Sequence, residues 1–274
     1  MSGEEVRLER TPVIELFSIG TELILGQIQD TNAHWIAQQI LQLGGQLRRV
    51  TMVRDEFDEM FEAIEDAIHR KTDLILTTGG LGPTPDDMTV QIVAKILGVQ
   101  PVVHEETLAS FMERRELTNR DDVTDAMVNM ATVPETADVF QNPVGWAPCV
   151  RVTKDSSSIL LMPGPPREMK SIFETYIAPL IAERYSAKIA TLRVYVNMFE
   201  AEVSPLLQQV MGTHPDVYLK AYVALRRDDN QYMPVDLVST GSDEGNAESQ
   251  LQAAAEYLRT LVIEKGKIFS PEDH

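Results

Sequence analysis

Asp86 and Asp87 are adjacent carboxylates that follow three glycines in Thr77-Thr78-Gly79-Gly80-Leu81-Gly82-Pro83-Thr84-Pro85-Asp86-Asp87-Met88-Thr89. Two hard oxygen donors suit a divalent cation such as Mg²⁺, and a glycine turn lets backbone N–H groups come close to a phosphate. Amides for phosphate and carboxylates for a cation are the components of a phosphate-ester or pyrophosphate site. Each part also has a structural use. Glycines after a strand often only turn the chain, and Gly-Gly-x-Gly matches neither the Walker A pattern nor the dinucleotide fingerprint. An aspartate in the first turn of a helix caps free N–H groups. Capping accounts for one aspartate and leaves the second unexplained, together with three glycines and two prolines in a single loop.

The elements that would hold this loop are legible on either side of it. Asp73-Leu74-Ile75-Leu76 reads as a buried parallel strand, and Val90, Val93, Ala94 and Leu97 form an apolar stripe at helical spacing closed by Gly98. In an open α/β sheet, ligands bind where loops diverge at the carboxyl ends of the strands. A second such end follows the strand Val13–Ile19, at Gly20-Thr21-Glu22-Leu23. Leu25 to Asn32 then leads into a helix carrying Ile36, Ala37, Ile40 and Leu43, stopped by Gly44-Gly45. Asp30 reads as its N-cap, whereas Glu22 and Asn32 are polar groups near the strand end with no packing duty. Thr21 and Thr84 are candidate hydroxyl donors to phosphate. A third glycine-proline region spans Asn142 to Pro148. A further strand, Ser158–Met162, runs into Pro163-Gly164-Pro165-Pro166, a rigid turn opening a helix over 166–183.

Other residues invite less chemistry. Asp121, Asp122 and Asp125 read as a solvated face or cap, His104 as a structural group at a helix entry, and Cys149 as a small buried hydrophobe. Trp146 is either a core indole or a wall stacking on a ligand ring. Leu47–Val53 reads as a strand and Phe57–Arg70 as an amphipathic helix. Helices follow over Glu105–Leu117 and Asp125–Met130. After about residue 187 the pattern becomes strand, helix, two strands and a long helix, a small α+β layer. Its Lys220 reads as a surface residue. The expected organisation is a flexible arm over 1–12, an α/β domain over 13–187 and the α+β domain over 188–274.

Composition bounds the partners. Twenty-four Lys and Arg against 42 Asp and Glu give a net charge of −18, which disfavours nucleic acid and anionic membranes. An acidic protein handling a phosphorylated substrate needs a cation to offset repulsion. The single cysteine excludes an internal disulfide and any multi-cysteine metal site. No apolar run approaches a membrane span and Met1–Pro12 lacks a secretory core, so the expected location is cytoplasmic.

Taken in order, Ile19-Gly20-Thr21-Glu22-Leu23 with Leu25-Gly26-Gln27-Ile28 and Thr31-Asn32, Thr78 to Thr84 with Asp86-Asp87-Met88-Thr89, and Met162 to Met169 resemble the amino-terminal domain of CinA, the competence/damage-inducible protein. That domain is a member of the molybdopterin-binding MoaB/Mog fold. The resemblance covers about residues 13–185. It implies a three-layer α/β/α domain with a second, smaller α+β domain, a homodimer, and a divalent-metal-dependent ADP-ribose pyrophosphatase releasing AMP and ribose 5-phosphate. The matching positions are Gly20, Thr21, Glu22 and Asn32, then Thr78, Gly79, Gly80, Gly82, Thr84, Asp86 and Asp87, then Pro163, Gly164 and Pro165.

Asp86, Asp87 and Glu22 are expected to be catalytic, the two aspartates as metal ligands and the other positions as substrate contacts. The family's Asn-x-x-Gly-Thr-Ala-Pro-Gly stretch departs here at Trp146 and Cys149, which would narrow that part of the pocket. Its Gly-x-x-Glu-Ser stretch is degraded to Met198–Glu202. The chain stops where many members continue into a nicotinamide mononucleotide deamidase domain, so that activity is expected to be absent. Two other functions are open: a molybdopterin-binding or adenylylating protein of molybdenum cofactor synthesis, and a non-catalytic regulatory module.

Overall fold

The computed structural model describes residues 12–184, 188–225, 232–241 and 243–271. Apart from Pro12, the arm expected over 1–12 lies outside them, as does Arg226, the last residue of the first of the two paired strands, which the sequence places over Tyr218–Arg226. Contacts divide the chain into a unit of Pro12–Glu183 and another beginning at Arg184.

The first unit runs β1 (Val13–Ile19), α1 (Thr21–Ile24), α2 (Thr31–Gln42), β2 (Gln46–Val53), α3 (Phe57–His69), β3 (Leu74–Thr78), α4 (Thr89–Leu97) and β4 (Pro101–Val103). It continues with α5 (Glu105–Arg114), α6 (Asp125–Met130), β5 (Thr132–Pro134), β6 (Asp138–Phe140), β7 (Cys149–Lys154), β8 (Ser157–Met162), α7 (Pro166–Ile172) and α8 (Ala178–Arg184). Six strands form one sheet in the order β2-β1-β3-β8-β7-β6. The first four are mutually parallel and the last two antiparallel. Parallel pairing puts the carboxyl ends of β1, β2, β3 and β8 at one edge, so their loops meet there.

Helices cover both faces, because the parallel strands are apolar on both sides. On one, Phe17, Ile19 and Ile75 pack with Met60 and Ile64 of α3 and Ile92 and Val93 of α4. On the other, α2 meets α7, and Trp35 stands edge-on to Phe173 at 5.4 Å. Local chemistry sets the helix ends. Asp30 takes the Ala33 amide at 2.8 Å as the N-cap of α2. Gly98 ends α4 in a left-handed conformation at φ 73°. The helix expected over 166–183 is broken by a π turn at Phe173–Ile177. Met169, Ile172, Phe173, Ile177 and Ile181 are all fully buried, and their spacing fits a continuous helix as well as the interrupted one.

Glu15 sits fully buried on β1. Arg70 and Arg48 reach its carboxylate at 2.8 and 3.0 Å and Thr72 donates at 2.9 Å. Burial pushes its carboxyl up, but the hydrogen bonds from Arg70, Thr72 and Arg48 outweigh that and hold it below the usual carboxylate range. A carboxyl depressed in the folded state stabilises above its unfolded pKa and ceases to do so as pH falls through the folded value. Thermal unfolding of the wild type should therefore move to lower temperature as pH falls below about 4.5. Glu15→Gln should lose roughly 1–3 kcal/mol at neutral pH, discounted because both arginines keep contact with solvent, and should flatten the acid limb. An unchanged acid limb in the variant would assign the acid sensitivity elsewhere.

The second unit runs β9 (Lys188–Val196), α9 (Glu200–Thr213), β10 (Val217–Ala221), β11 (Met233–Gly241), α10 (Glu244–Glu264) and β12 (Phe269–Ser270). The strands form a sheet in the order β10-β11-β9-β12, antiparallel throughout. Val217, Leu219, Val235 and Leu237 alternate inward beneath Val203 and Val210 of α9 and Leu251 and Leu258 of α10. Lys220 is exposed on edge strand β10. Among the described residues, no helix is long and apolar enough to cross a membrane.

Candidate functional site

The strand ends are tied together by residues far apart in sequence. At the end of β1, the Gly20 amide donates to Val53 O of β2 at 3.1 Å. The Thr21 amide and hydroxyl donate to Asp55 Oδ2 at 2.7 and 3.0 Å. At the end of β3, the Gly79 amide donates to Met162 O of β8 at 3.0 Å. Asn32 Nδ2 donates to Gly164 O at 2.8 Å, linking the start of α2 to the turn after β8. Asp55 was not singled out by the sequence. Its one signal is position, just past the carboxyl end of a parallel strand.

The central loop needs its glycines for close approach. Gly79 adopts φ 106°, and a Cβ there would lie 2.4 Å from the carbonyl oxygen of Ile19. Gly80 adopts φ 67°, and its Cβ would lie 2.1 Å from Thr89 Oγ1, a hydroxyl that donates to Gly79 O at 3.1 Å. Since the Gly79 amide is taken by Met162, it is not available to a phosphate. Among the described residues, the amides of Gly80, Leu81 and Gly82 make no hydrogen bond within the chain. They are the free donors of the loop.

Both threonines expected to donate to phosphate are committed otherwise. Thr21 donates to Asp55, and Thr84 donates its amide and hydroxyl to Asp87 Oδ2 at 2.8 and 2.6 Å. Each hydroxyl is thus engaged by carboxylates of the protein and helps to position them, the Thr84 hydroxyl lying within reach of both Asp87 and Asp86. Asp86 is exposed beside them. The Thr84 hydroxyl and the Asp86 amide hold its carboxyl below the usual carboxylate range.

Two depressions open at this edge. The larger, about 350 Å³, is lined by Glu22, Asp30, Asn32, Thr78, Gly164 and Pro165 among others. The narrower crevice is lined by Gly80, Gly82, Asp87, Asn129, Thr132 and Pro148 among others. The larger hollow thus brings together Glu22, expected to be catalytic, with Asn32, Thr78, Gly164 and Pro165, expected to contact substrate, and Pro163 is buried just before them. Glu22 does not share a hollow with Asp87. Among the described residues, no three His, Cys, Asp or Glu side chains gather as a metal cluster. The expected carboxylate trio is a pair plus a separate residue, because Glu22 belongs to the β1 loop on the α2 side and Asp87 turns toward α6.

The third glycine-proline region is held by packing and hydrogen bonds, and its Pro148 lines the narrower crevice. Trp146 packs edge-on against Phe111 at 5.4 Å, with the Arg114 guanidinium 4.0 Å above its ring, and lines neither depression. Arg114 also donates to Gly145 O at 2.5 Å, and Asn142 bridges the Gly145 amide and Glu168. A Cβ on Gly145 would collide with the Glu168 carboxylate at 1.9 Å. The indole is therefore a packing group that lines neither of these two depressions. Cys149 is fully buried on β7, and burial pushes its thiol up to about 12, which makes it inert as a nucleophile. His104 caps α5 through Nδ1 and the Thr107 amide. Asp121, Asp122 and Asp125 are exposed.

Residues 15–183 match the family described as probable molybdopterin binding domain. A Pyrobaculum calidifontis protein is 35% identical over 260 residues, covering 93% of this chain and 97% of that one. An Aeropyrum pernix protein is 32% identical over 269 residues, covering 97% of this chain and 99% of its own length. Among solved structures, the CinA protein of unknown function from Thermoplasma acidophilum is 30% identical with a TM-score of 0.58, covering 62% of this chain and 98% of that one.

Proposed function

The chain belongs to the molybdopterin-binding MoaB/Mog-like family in its CinA amino-terminal form, and from that premise we propose that its strand-end loops hydrolyse a nucleoside diphosphate linkage, with ADP-ribose as the substrate. The observation that carries this reading is the glycine loop: three successive free amides, at Gly80, Leu81 and Gly82, stand beside the Asp86–Asp87 pair. Fixed amide dipoles favour phosphate charge without reorganising during the reaction.

The loop's donor set fits a cation that arrives with its substrate. Asp86 and Asp87 offer two carboxylate ligands on one tight turn, and ions such as Mg²⁺ commonly use one or two carboxylates and complete their shell with phosphate oxygens and water. Held by Asp86 and Asp87, a divalent cation supplies charge neutralisation at the diphosphate and a more acidic water. The chain's own contributions are separate. Gly80–Gly82 orient the diphosphate, Thr84 fixes Asp87, and Asn32 with Gly164 holds the wall of the adjoining hollow.

A second reading, favoured by the family match over residues 15–183, is binding or adenylylation of molybdopterin in the same loops. One assay separates them. With ADP-ribose and a panel of divalent metals, hydrolysis releases AMP and ribose 5-phosphate only when metal is present. Adenylylation instead consumes ATP only when a pterin is supplied. A preparation that does neither, and gains no thermal stability from either ligand, contradicts both.

A further inference from the structure

Glu168 lines neither depression, yet it joins the loops that form them. It is the third residue of α7, which starts directly after Gly164 and Pro165 in the wall of the larger hollow. Its amide donates to Pro165 O at 3.0 Å, and its Oε2 accepts from Asn142 Nδ2 at 2.6 Å. The same Asn142 side chain organises the loop after β6. Its Oδ1 accepts from the Val144 and Gly145 amides at 3.1 and 2.7 Å, and its Nδ2 also donates to Ala147 O at 2.9 Å. Pro148 comes next in the chain and lines the narrower crevice together with Gly80 and Gly82. One side chain therefore fixes the shape of the loop and, through Glu168, ties that shape to α7.

Gly145 shows how closely the two parts meet. Its φ lies outside the left-handed region, so no dihedral demands glycine there. The three atoms nearest to a Cβ at 145 all belong to the Glu168 side chain, the closest at 1.9 Å. The obstacle to a side chain at that position is Glu168 itself. Among the described residues, no basic side chain pairs with this half-buried carboxylate. Its bond to Asn142 is therefore a directional contact with a neutral amide, which sets a position, rather than an ion pair.

We propose that Glu168 is a positioning residue: through Asn142 it holds Pro148 at the wall of the narrower crevice, and so fixes where a phosphate can sit against the Gly80–Gly82 amides. The inference rests on the reading above, in which those amides take the diphosphate. It adds that the crevice is shaped from outside, by a carboxylate that contacts no substrate. Misplacing a wall far from the reacting atoms can cost about 10- to 100-fold.

Steady-state kinetics with ADP-ribose and Mg²⁺, run well below the melting temperature of each variant, test this. Glu168→Ala should raise KM about 10-fold and leave kcat within about 2-fold of wild type. The dissociation constant for ADP-ribose in EDTA, without turnover, should rise by the same factor. A loss of folded protein alone would lower kcat and leave KM where it was, so the split separates positioning from stability. Glu168→Gln keeps an oxygen for Asn142 and should restore the wild-type KM. Gly145→Ala should displace the Glu168 carboxylate and match Glu168→Ala, and the double variant should be no worse than either single one. Tyr176→Phe is the control: its hydroxyl donates to Gln141 O of the same loop at 2.9 Å and lines neither depression, so KM should not move. A wild-type KM in Glu168→Ala, or additive rises in the double variant, overturns the inference and leaves the phosphate reading intact. A wild-type protein that neither binds nor hydrolyses ADP-ribose overturns both.

Discussion

Asp86→Asn is expected to lower metal-dependent release of AMP from ADP-ribose by about 100-fold or more while leaving the melting temperature unchanged. The two halves of that result come from different features. Asp86 is exposed and its interactions, with the Thr84 hydroxyl and its own amide, stay within the same turn, so removing its charge leaves the fold alone. Its charge is one of two that the glycine loop would offer to a divalent cation, which would neutralise charge at the phosphates. Asp87 behaves differently. Its Oδ2 holds both the amide and the hydroxyl of Thr84, so Asp87→Ala should lose activity together with the order of the 84–87 turn. Kinetic assays paired with thermal melts separate the two variants. Wild-type turnover in Asp86→Asn would remove that residue from the site.

Gly79→Ala should be the most destabilising single methyl in the first unit, by about 3 kcal/mol and so roughly 6–12 °C in melting temperature. At φ 106° a Cβ is strained whatever surrounds it, and here it would meet the Ile19 carbonyl oxygen at 2.4 Å. Ile19 O is main chain of β1, so no rotamer change relieves the contact. Relief requires β1 and β3 to separate at their carboxyl ends, which displaces the glycine loop from its place between β1 and β8. Substrate affinity should fall with stability for that reason. Gly98→Ala is the control: it shares a positive φ of 73° but a Cβ there meets nothing within 4 Å. Its cost should stay near 1 kcal/mol. Equal losses in the two variants would mean that dihedral strain alone, not the close approach of β1, sets the requirement.

The sequence disclosed the layout of the site better than its wiring. Parallel strands buried on both faces read as short apolar runs, and each run here ends in glycine, proline or a short polar residue, so Gly20, Gly79 and Gly164 were legible as strand-end turns. Asp30 as a helix cap follows from local chemistry and is observed. What stayed hidden depends on partners distant along the chain. Thr21 meets Asp55 across 34 residues and Asn32 meets Gly164 across 132. Nothing near either residue announces that pairing. The hydroxyls of Thr21 and Thr84 looked available to a ligand for the same reason.

Trp146 shows the limit from another side. An indole among glycines and prolines fits a pocket wall or a core, and only the placement of α5, with Phe111 and Arg114, decides for packing. Short elements were also missed: α1, β5 and β6 span three or four residues, too few to show a period. The π turn inside the last helix of the first unit leaves the same apolar spacing as an unbroken helix.

The free amides after β3 are expected to grip the phosphates of a small molecule. Titrating ¹⁵N-labelled protein with ADP-ribose in the presence of Mg²⁺, and following assigned backbone amides, tests it most directly. Signals of Gly80, Leu81 and Gly82 should shift in proportion to occupancy, while Gly79, already bonded to Met162 O, moves least within the loop. Saturable shifts confined to other residues, with these three unmoved, would contradict the account.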